Sequence, residues 1–182
     1  KRLLEERVSI RNLRAILETI VEFAPKEADT NNIVAHVRYA LRRQIDHAYA
    51  DEDRVLDAII FERSSEEILR DAIQKAIVSN QKDIAPPIAD ALTKEAGGLL
   101  PGGELSPKLV VFVSADLRRY VFNLLSKSFP DTPVLAYHEL AQGYSMRVRG
   151  TIRLIAGAAL ERPAPGLELA AAPAIPAAPQ RE

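Results

Sequence analysis

The chain of 182 residues contains no cysteine, no tryptophan and one methionine, and only 5% of it is aromatic. Without cysteine there is no disulfide framework and no thiolate zinc site, a usage that suits a reducing compartment. Charge of one sign is also missing: 24 basic residues stand against 25 acidic ones, a formal net charge of −1. That balance gives no polyelectrolyte signal for nucleic acid or for an anionic membrane surface. No apolar run approaches the ~20 residues that a membrane-crossing helix needs. The first residue is Lys1, no signal peptide follows, and Lys1-Arg2-Leu3-Leu4-Glu5-Glu6 reads as the middle of a helix, so a fragment of something longer is expected. The length allows one ordinary domain or two small subdomains with a real core.

Signals for chemistry are equally sparse. Gly97, Gly98, Gly102 and Gly103 lack the Gly-Lys-Ser/Thr ending of a phosphate loop, so a flexible connector is expected there. His36, His47 and His138 are scattered, with no His-Glu-x-x-His pattern to hold a metal. His138-Glu139 sits at a strand end but has no nucleophile paired with it in the sequence. Helix capping and a favourable first-turn charge account for Ser114 and Asp116 without a catalytic pair. No catalytic, metal or cofactor residue is assigned, no cofactor is expected, and the chain is not expected to be an enzyme.

What is present is regular. Ser9 is a candidate cap for a helix with Leu13, Ile16, Leu17, Ile20 and Val21 on one face, stopped by Pro25. Asp29 or Thr30 caps the next helix, whose apolar face is Ile33, Val34, Val37, Leu41, Ile45 and Ala48. Asp51-Glu52-Asp53 marks a boundary, and Val55 to Phe61 is a candidate strand interrupted by Asp57. Ser64 and Glu67 form a capping box for a helix carrying Ile68, Leu69, Ala72, Ile73, Ala76 and Ile77. Pro86-Pro87 opens another helix that is expected to end at Gly97-Gly98, before a loop around Pro101-Gly102-Gly103. Leu109 to Val113 is a buried strand, and Ser114 caps a helix with Leu117, Tyr120, Val121, Leu124 and Leu125 on one face. Phe129-Pro130 closes that helix and Val134 to Tyr137 is the next strand. In the last strand Met146, Val148, Ile152 and Leu154 point one way, and Arg147, Arg149, Thr151 and Arg153 the other. Beyond Leu160 alternating Ala and Pro cannot offset the entropy of ordering.

The expected class is therefore α+β. A helical subdomain spans about 1–50, a sheet-and-helix (β-α-β) subdomain 53–160, and a disordered Ala/Pro tail 161–182.

Three groups of arginines are the candidate interaction residues. Arg38, Arg42 and Arg43 lie off the apolar stripe of their helix, so reversing their charge is expected to leave the fold intact. A basic helix after a short turn fits a DNA reader, a solvated face or a protein contact. Residues 1–50 carry nine basic against seven acidic residues, too balanced for the first. Arg118 and Arg119 open a helix against its macrodipole, a mild penalty that points to a carboxylate within the chain or on another subunit, or is simply tolerated. Arg147, Arg149 and Arg153 either guard an edge strand or bind an acidic partner.

Two phrases carry a family resemblance. Leu109 to Leu140, LVVFVSADLRRYVFNLLSKSFPDTPVLAYHEL, resembles the last cytoplasmic subdomain of the bacterial type III export-gate family, shared by injectisomes and flagella. That family reads V-S-x-D-L-R-R … F-P-x-x-P-V-L-S-Y-x-E-L. Leu3 to Ile45, LLEERVSIRNLRAILETIVEFAPKEADTNNIVAHVRYALRRQI, is similar to the preceding subdomain, L-L-x-E-x-V-S-I-R-D-L … I-L-E … A-P … V-R-x-A-L-x-R-x-I. Asn12 stands where the family has an acid, and Ala136 where it has Ser. The interval from Leu140 to Gly150 favours the injectisome type.

The resemblance implies a docking and gating platform in protein transport, with no active site of its own. It implies a homo-oligomeric, nonameric ring at the cytoplasmic face of the inner membrane, anchored only through a missing N-terminal half, with this fragment soluble. Implied partners are export chaperone-substrate complexes, the gatekeeper protein and the stalk of the ATPase complex, with no nucleic acid. It favours protein contact for the Arg38, Arg42 and Arg43 cluster. A DNA-binding regulator using the basic helix, or a small α/β enzyme, are the alternatives.

Overall fold

A computed structural model describes residues 1–81, 84–100 and 109–155; the Pro101–Gly103 loop and the Ala/Pro tail lie outside them. One helical turn, α1 (Arg2–Glu5), leads into α2 (Leu13–Phe23), α3 (Thr30–Ala40) and α4 (Arg42–Tyr49). Next come β1 (Val55–Phe61), α5 (Arg63–Val78), α6 (Pro86–Leu99), β2 (Val110–Val113) and α7 (Ala115–Leu125). The described chain closes with β3 (Val134–Ala136), a 3-10 turn (Tyr137–Glu139) and β4 (Ser145–Ile152). The four strands form one parallel sheet in the order β3-β2-β1-β4. The α+β class holds.

A parallel sheet has to be covered on both faces, and successive side chains supply one core each. Ile59, Phe61, Val111 and Val113 pack with Leu69 of α5, Leu92 of α6, and Leu117, Val121 and Leu125 of α7. Leu56, Ala58, Val110, Phe112 and Leu135 face the other way, onto Val8, Ile16, Val37, Leu41 and Ile45. Residues on both sides of the expected boundary at 50–53 thus share the second core.

Local departures have local causes. The cap of α2 is Asn12, whose side chain accepts from the Ala15 N–H at 3.2 Å, and Ser9 lies outside the helix. Asp29 caps α3 as expected, accepting from Asn31 N–H at 2.8 Å. The helix read through Ala48 is two helices, parted at Leu41 (φ −90°, ψ 1°), where the chain re-nucleates. No Ser64–Glu67 box forms, because the cap of α5 is Glu62, two residues before Ser64, and the helix already begins at Arg63. Gly97 and Gly98 remain helical, since α6 runs on to Leu99. α7 stops at Leu125, short of Pro130.

The largest departure is in β4. Ala58 pairs with Val148 but Ile59 pairs with Gly150, so Arg149 is an extra, bulged residue. One extra residue reverses the facing of everything beyond it. Met146 therefore packs with the second core, whereas Ile152 and Leu154 join the first. Val148, expected to be buried with them, is 49% exposed. Gly150 follows the bulge, and a Cβ there would stand 2.8 Å from the Leu99 side chain, so a larger residue would have to displace that side chain.

Candidate functional site

The arginines expected to act together are separated by the fold. Arg38 does not lie on a solvated face. It is 1% exposed, at the junction of α3, α7 and the 3-10 turn. Its Nε and Nη2 donate to the two Glu139 carboxylate oxygens at 2.7 and 2.9 Å, a bidentate pair. Nη1 donates to Glu6 at 2.7 Å and Nη2 also reaches the Val134 carbonyl at 3.3 Å. Glu6 accepts in addition from Arg118 Nη1 at 2.6 Å. The carboxylate called for by Arg118 is thus internal. Glu139 also accepts the backbone N–H of Ala136 at 2.9 Å.

Four charges from four separate places therefore close one buried network, Arg118–Glu6–Arg38–Glu139. Burial pushes the Glu139 carboxyl up, but Arg38 outweighs it and holds the group below the ordinary carboxylate value. For Arg38 burial acts downward, and Glu139 more than compensates, raising it. Breaking one member of such a network leaves an uncompensated buried charge, at a cost of about 3–5 kcal/mol.

The remaining candidate arginines stay at the surface. Arg42 and Arg43 belong to α4, and neither has an ion-pair partner among the described residues. The Arg42 guanidinium lies 4.1 Å from the Tyr39 ring centroid and donates to the Tyr39 carbonyl at 2.9 Å. Arg119 is half-buried and likewise without an ion pair among the described residues. Arg147 and Arg149 both reach Asp57 of β1, at 3.3 and 3.0 Å, and Arg147 also pairs with Asp51 at 2.8 Å. Arg153 pairs with Glu62 at 3.5 Å. β4 is an edge strand, and its arginines are occupied within the chain across the β1–β4 pair.

Ser114, Asp116 and His138 each have other partners. The Ser114 hydroxyl and N–H both donate to Glu66, at 2.5 and 2.9 Å, and Asp116 pairs with Arg70 at 2.7 Å. The His138 ring stacks on Tyr39 at 5.8 Å. Among the described residues no three His, Cys, Asp or Glu side chains are grouped to hold a metal ion. Nor is any described helix long and apolar enough to cross a membrane.

Two further features escape a reading by residue type. Asp46 of α4 is fully buried; one carboxylate oxygen accepts from the Ala141 N–H at 2.7 Å and the other has no hydrogen-bond partner. Burial, assisted by the Glu139 charge and opposed by the Ala141 N–H, pushes this carboxyl up to about 6. The second feature is the outer face of α2. Its stripe has the expected spacing, yet only Ile16 and Thr19 are buried. Leu13, Leu17 and Val21 are 57%, 58% and 74% exposed, and Ile10 and Ile20 flank them, also exposed. A stripe of this kind on a stable helix marks a contact surface.

Comparison with known proteins extends this geometry. A model of the FHIPEP family matches residues 1–145. Low calcium response locus protein D of Yersinia pestis is 34% identical over 157 residues, 85% of this chain and 22% of that protein. The chain thus spans under a quarter of the length of such relatives. The structure of the Chlamydia pneumoniae CdsV and CdsO protein complex superposes with a TM-score of 0.73 and 29% identity, over 84% of this chain and 44% of that one. The nonameric EscV cytosolic domain from the type III secretion system gives a TM-score of 0.68 and 32% identity, over 83% and 45%.

Proposed function

The chain belongs to the FHIPEP family, the type III secretion and flagellar export gates, and from that premise we propose that it is a docking and gating platform of an injectisome-type export apparatus. The observation that carries this reading is the apolar face of α2, well formed and left open among the described residues. We assign that face to contact with a neighbouring subunit of a ring; the nonameric EscV domain supports the ring, and the exposed apolar side chains support the choice of face. Arg42 and Arg43, on the neighbouring helix α4, supply positive charge for such contacts. Chaperone-substrate complexes, the gatekeeper and the ATPase stalk are the partners of this reading, and the two-protein CdsV–CdsO structure supports binding of a second protein. The platform works by presenting surfaces at the cytoplasmic face of the inner membrane. Energy comes from the ATPase and the proton-motive force.

The test is Leu17→Gln together with Val21→Gln, placed in this chain and in the full-length protein. Gln is a good helix former and both sites are exposed, so each change should alter stability by no more than about 0.5 kcal/mol. Each apolar side chain buried at a contact is worth about 1.5–3 kcal/mol, and the loss recurs at every junction of a closed ring. The double variant should melt like the wild type, yet yield few rings by electron microscopy and secrete little substrate. Normal ring yield and secretion would remove the α2 face from the assembly.

A further inference from the structure

Arg38 and Arg118 sit on α3 and α7, two regular helices packed into opposite cores. Between them lies a single carboxylate, that of Glu6, and it comes from an irregular stretch. α1 is one turn with no buried residue, and Arg7 sits in the left-handed region at φ +56°. Residues 2–8 touch the body through few groups. Val8 is buried, Leu3 packs beside it, Arg2 bonds to Asn31 and Arg7 pairs with Asp131. The polar anchor at the centre is Glu6. The bidentate pair between Arg38 and Glu139 uses no atom of Glu6, so half of the network is made outside this segment. Arg118, in contrast, has Glu6 as its only acceptor among the described residues.

We propose that Arg38 and Arg118 form a preorganised carboxylate receptor, that Glu6 is its tethered ligand, and that residues 2–8 are a releasable latch. When the latch leaves, Arg38 stays oriented by Glu139 and the Val134 carbonyl, and Arg118 stays anchored beside it through its backbone on α7. Two converging, desolvated cations then favour one ligand chemistry, a single carboxylate. An acidic side chain of a partner can fill the slot only by displacing Glu6, which couples occupancy to release of the segment ahead of α2. On the Arg38 side of Glu6 the surroundings include Tyr49, Phe122 and Val134, a largely apolar lining that strengthens a charge pair.

Acetate tests the receptor directly. In the whole chain, Glu6→Ala should lower the melting temperature by several degrees and speed hydrogen exchange at residues 2–8, with exchange in β1 and β2 far less changed. Sodium acetate at about 100 mM, against sodium chloride of equal ionic strength, should then restore several degrees to Glu6→Ala and none to the wild type. Adding Arg118→Met should abolish the restoration. A rise with acetate that matches the wild type, or that survives Arg118→Met, would overturn the receptor. Exchange accelerating equally in β1, β2 and residues 2–8 would overturn the latch. If Glu6→Ala fails to fold, Glu6→Gln keeps the shape of the side chain and is held to the same exchange criterion.

Discussion

Arg38→Glu should abolish the cooperative thermal transition of this chain, while Arg42→Glu and Arg43→Glu should each melt within a few degrees of the wild type. At position 38 the substitution places a third carboxylate beside Glu6 and Glu139, at a site that is 1% exposed. Loss of the guanidinium alone costs about 3–5 kcal/mol, before repulsion among the carboxylates is counted. A domain of this kind has about 5–15 kcal/mol in all, so little or none would remain. Arg42 and Arg43 have no ion pairs to lose among the described residues, and Arg42 gives up only a stacking contact on Tyr39, about 0.5–1 kcal/mol. Circular dichroism melts of the three variants separate the cases. Arg38→Met combined with Glu139→Gln should recover much of the loss, because it removes both charges together. A cooperative Arg38→Glu melt near the wild-type temperature would show that the network carries little stability.

The three arginines look alike in the sequence because helical spacing sorts positions and not partners. Arg38 stands one residue from Val37 and four from Val34, on the margin of the apolar stripe. A charged residue there reads as the edge of the wet face. What buries it is Glu139, 101 positions away. One trace was nevertheless visible. Glu6, Arg38, Arg118 and Glu139 are all fixed letters of the two family phrases, L-L-x-E, V-R-x-A-L, D-L-R-R and Y-x-E-L. The phrases hold three acids and three bases, and the fold brings four of the six together, leaving Asp116 to Arg70 and Arg119 outside the network.

Elements defined by local spacing were legible: β1, β2, α7 and the apolar face of α3 and α4 follow from runs and periods that need no distant partner. The β4 bulge was not, since MRVRGTIRL keeps an alternating look on either side of Arg149 and nothing in it marks the extra residue. The α2 stripe shows the complementary failure. Its period was right, but amphipathic spacing says which face is apolar, not whether this chain contains what covers it.

The chain should also become more stable as pH falls from 8 to 5, and Asp46→Asn should erase that gain. Asp46 is fully exposed to water when unfolded and titrates near its ordinary 3.8, whereas burial in the folded chain moves it to about 6. The folded state therefore holds the proton more tightly. A group raised in this way contributes stability fully present below 3.8 and lost as pH rises through about 6. With the side chain 0% exposed, a shift of this size amounts to about 2–3 kcal/mol over the whole window. Roughly half of it falls between pH 8 and 5, enough to lift the melting temperature by about 3 °C. Glu139 works in the opposite sense. Its folded value is depressed, so its contribution is present above the unfolded value of 4.5 and is lost only in stronger acid. Stability should therefore still be rising at pH 5 and turn over only in stronger acid, where the proton forced onto Glu139 outweighs the one taken up by Asp46. In Asp46→Asn the amide oxygen still accepts from Ala141 but nothing titrates, so the melting temperature should be flat from pH 8 to 5 and fall in stronger acid, as the wild type does. A wild-type melting temperature that drops steadily from pH 8 to 5, or an Asp46→Asn profile that keeps the rise, would mean that the buried carboxyl of α4 does not set this dependence.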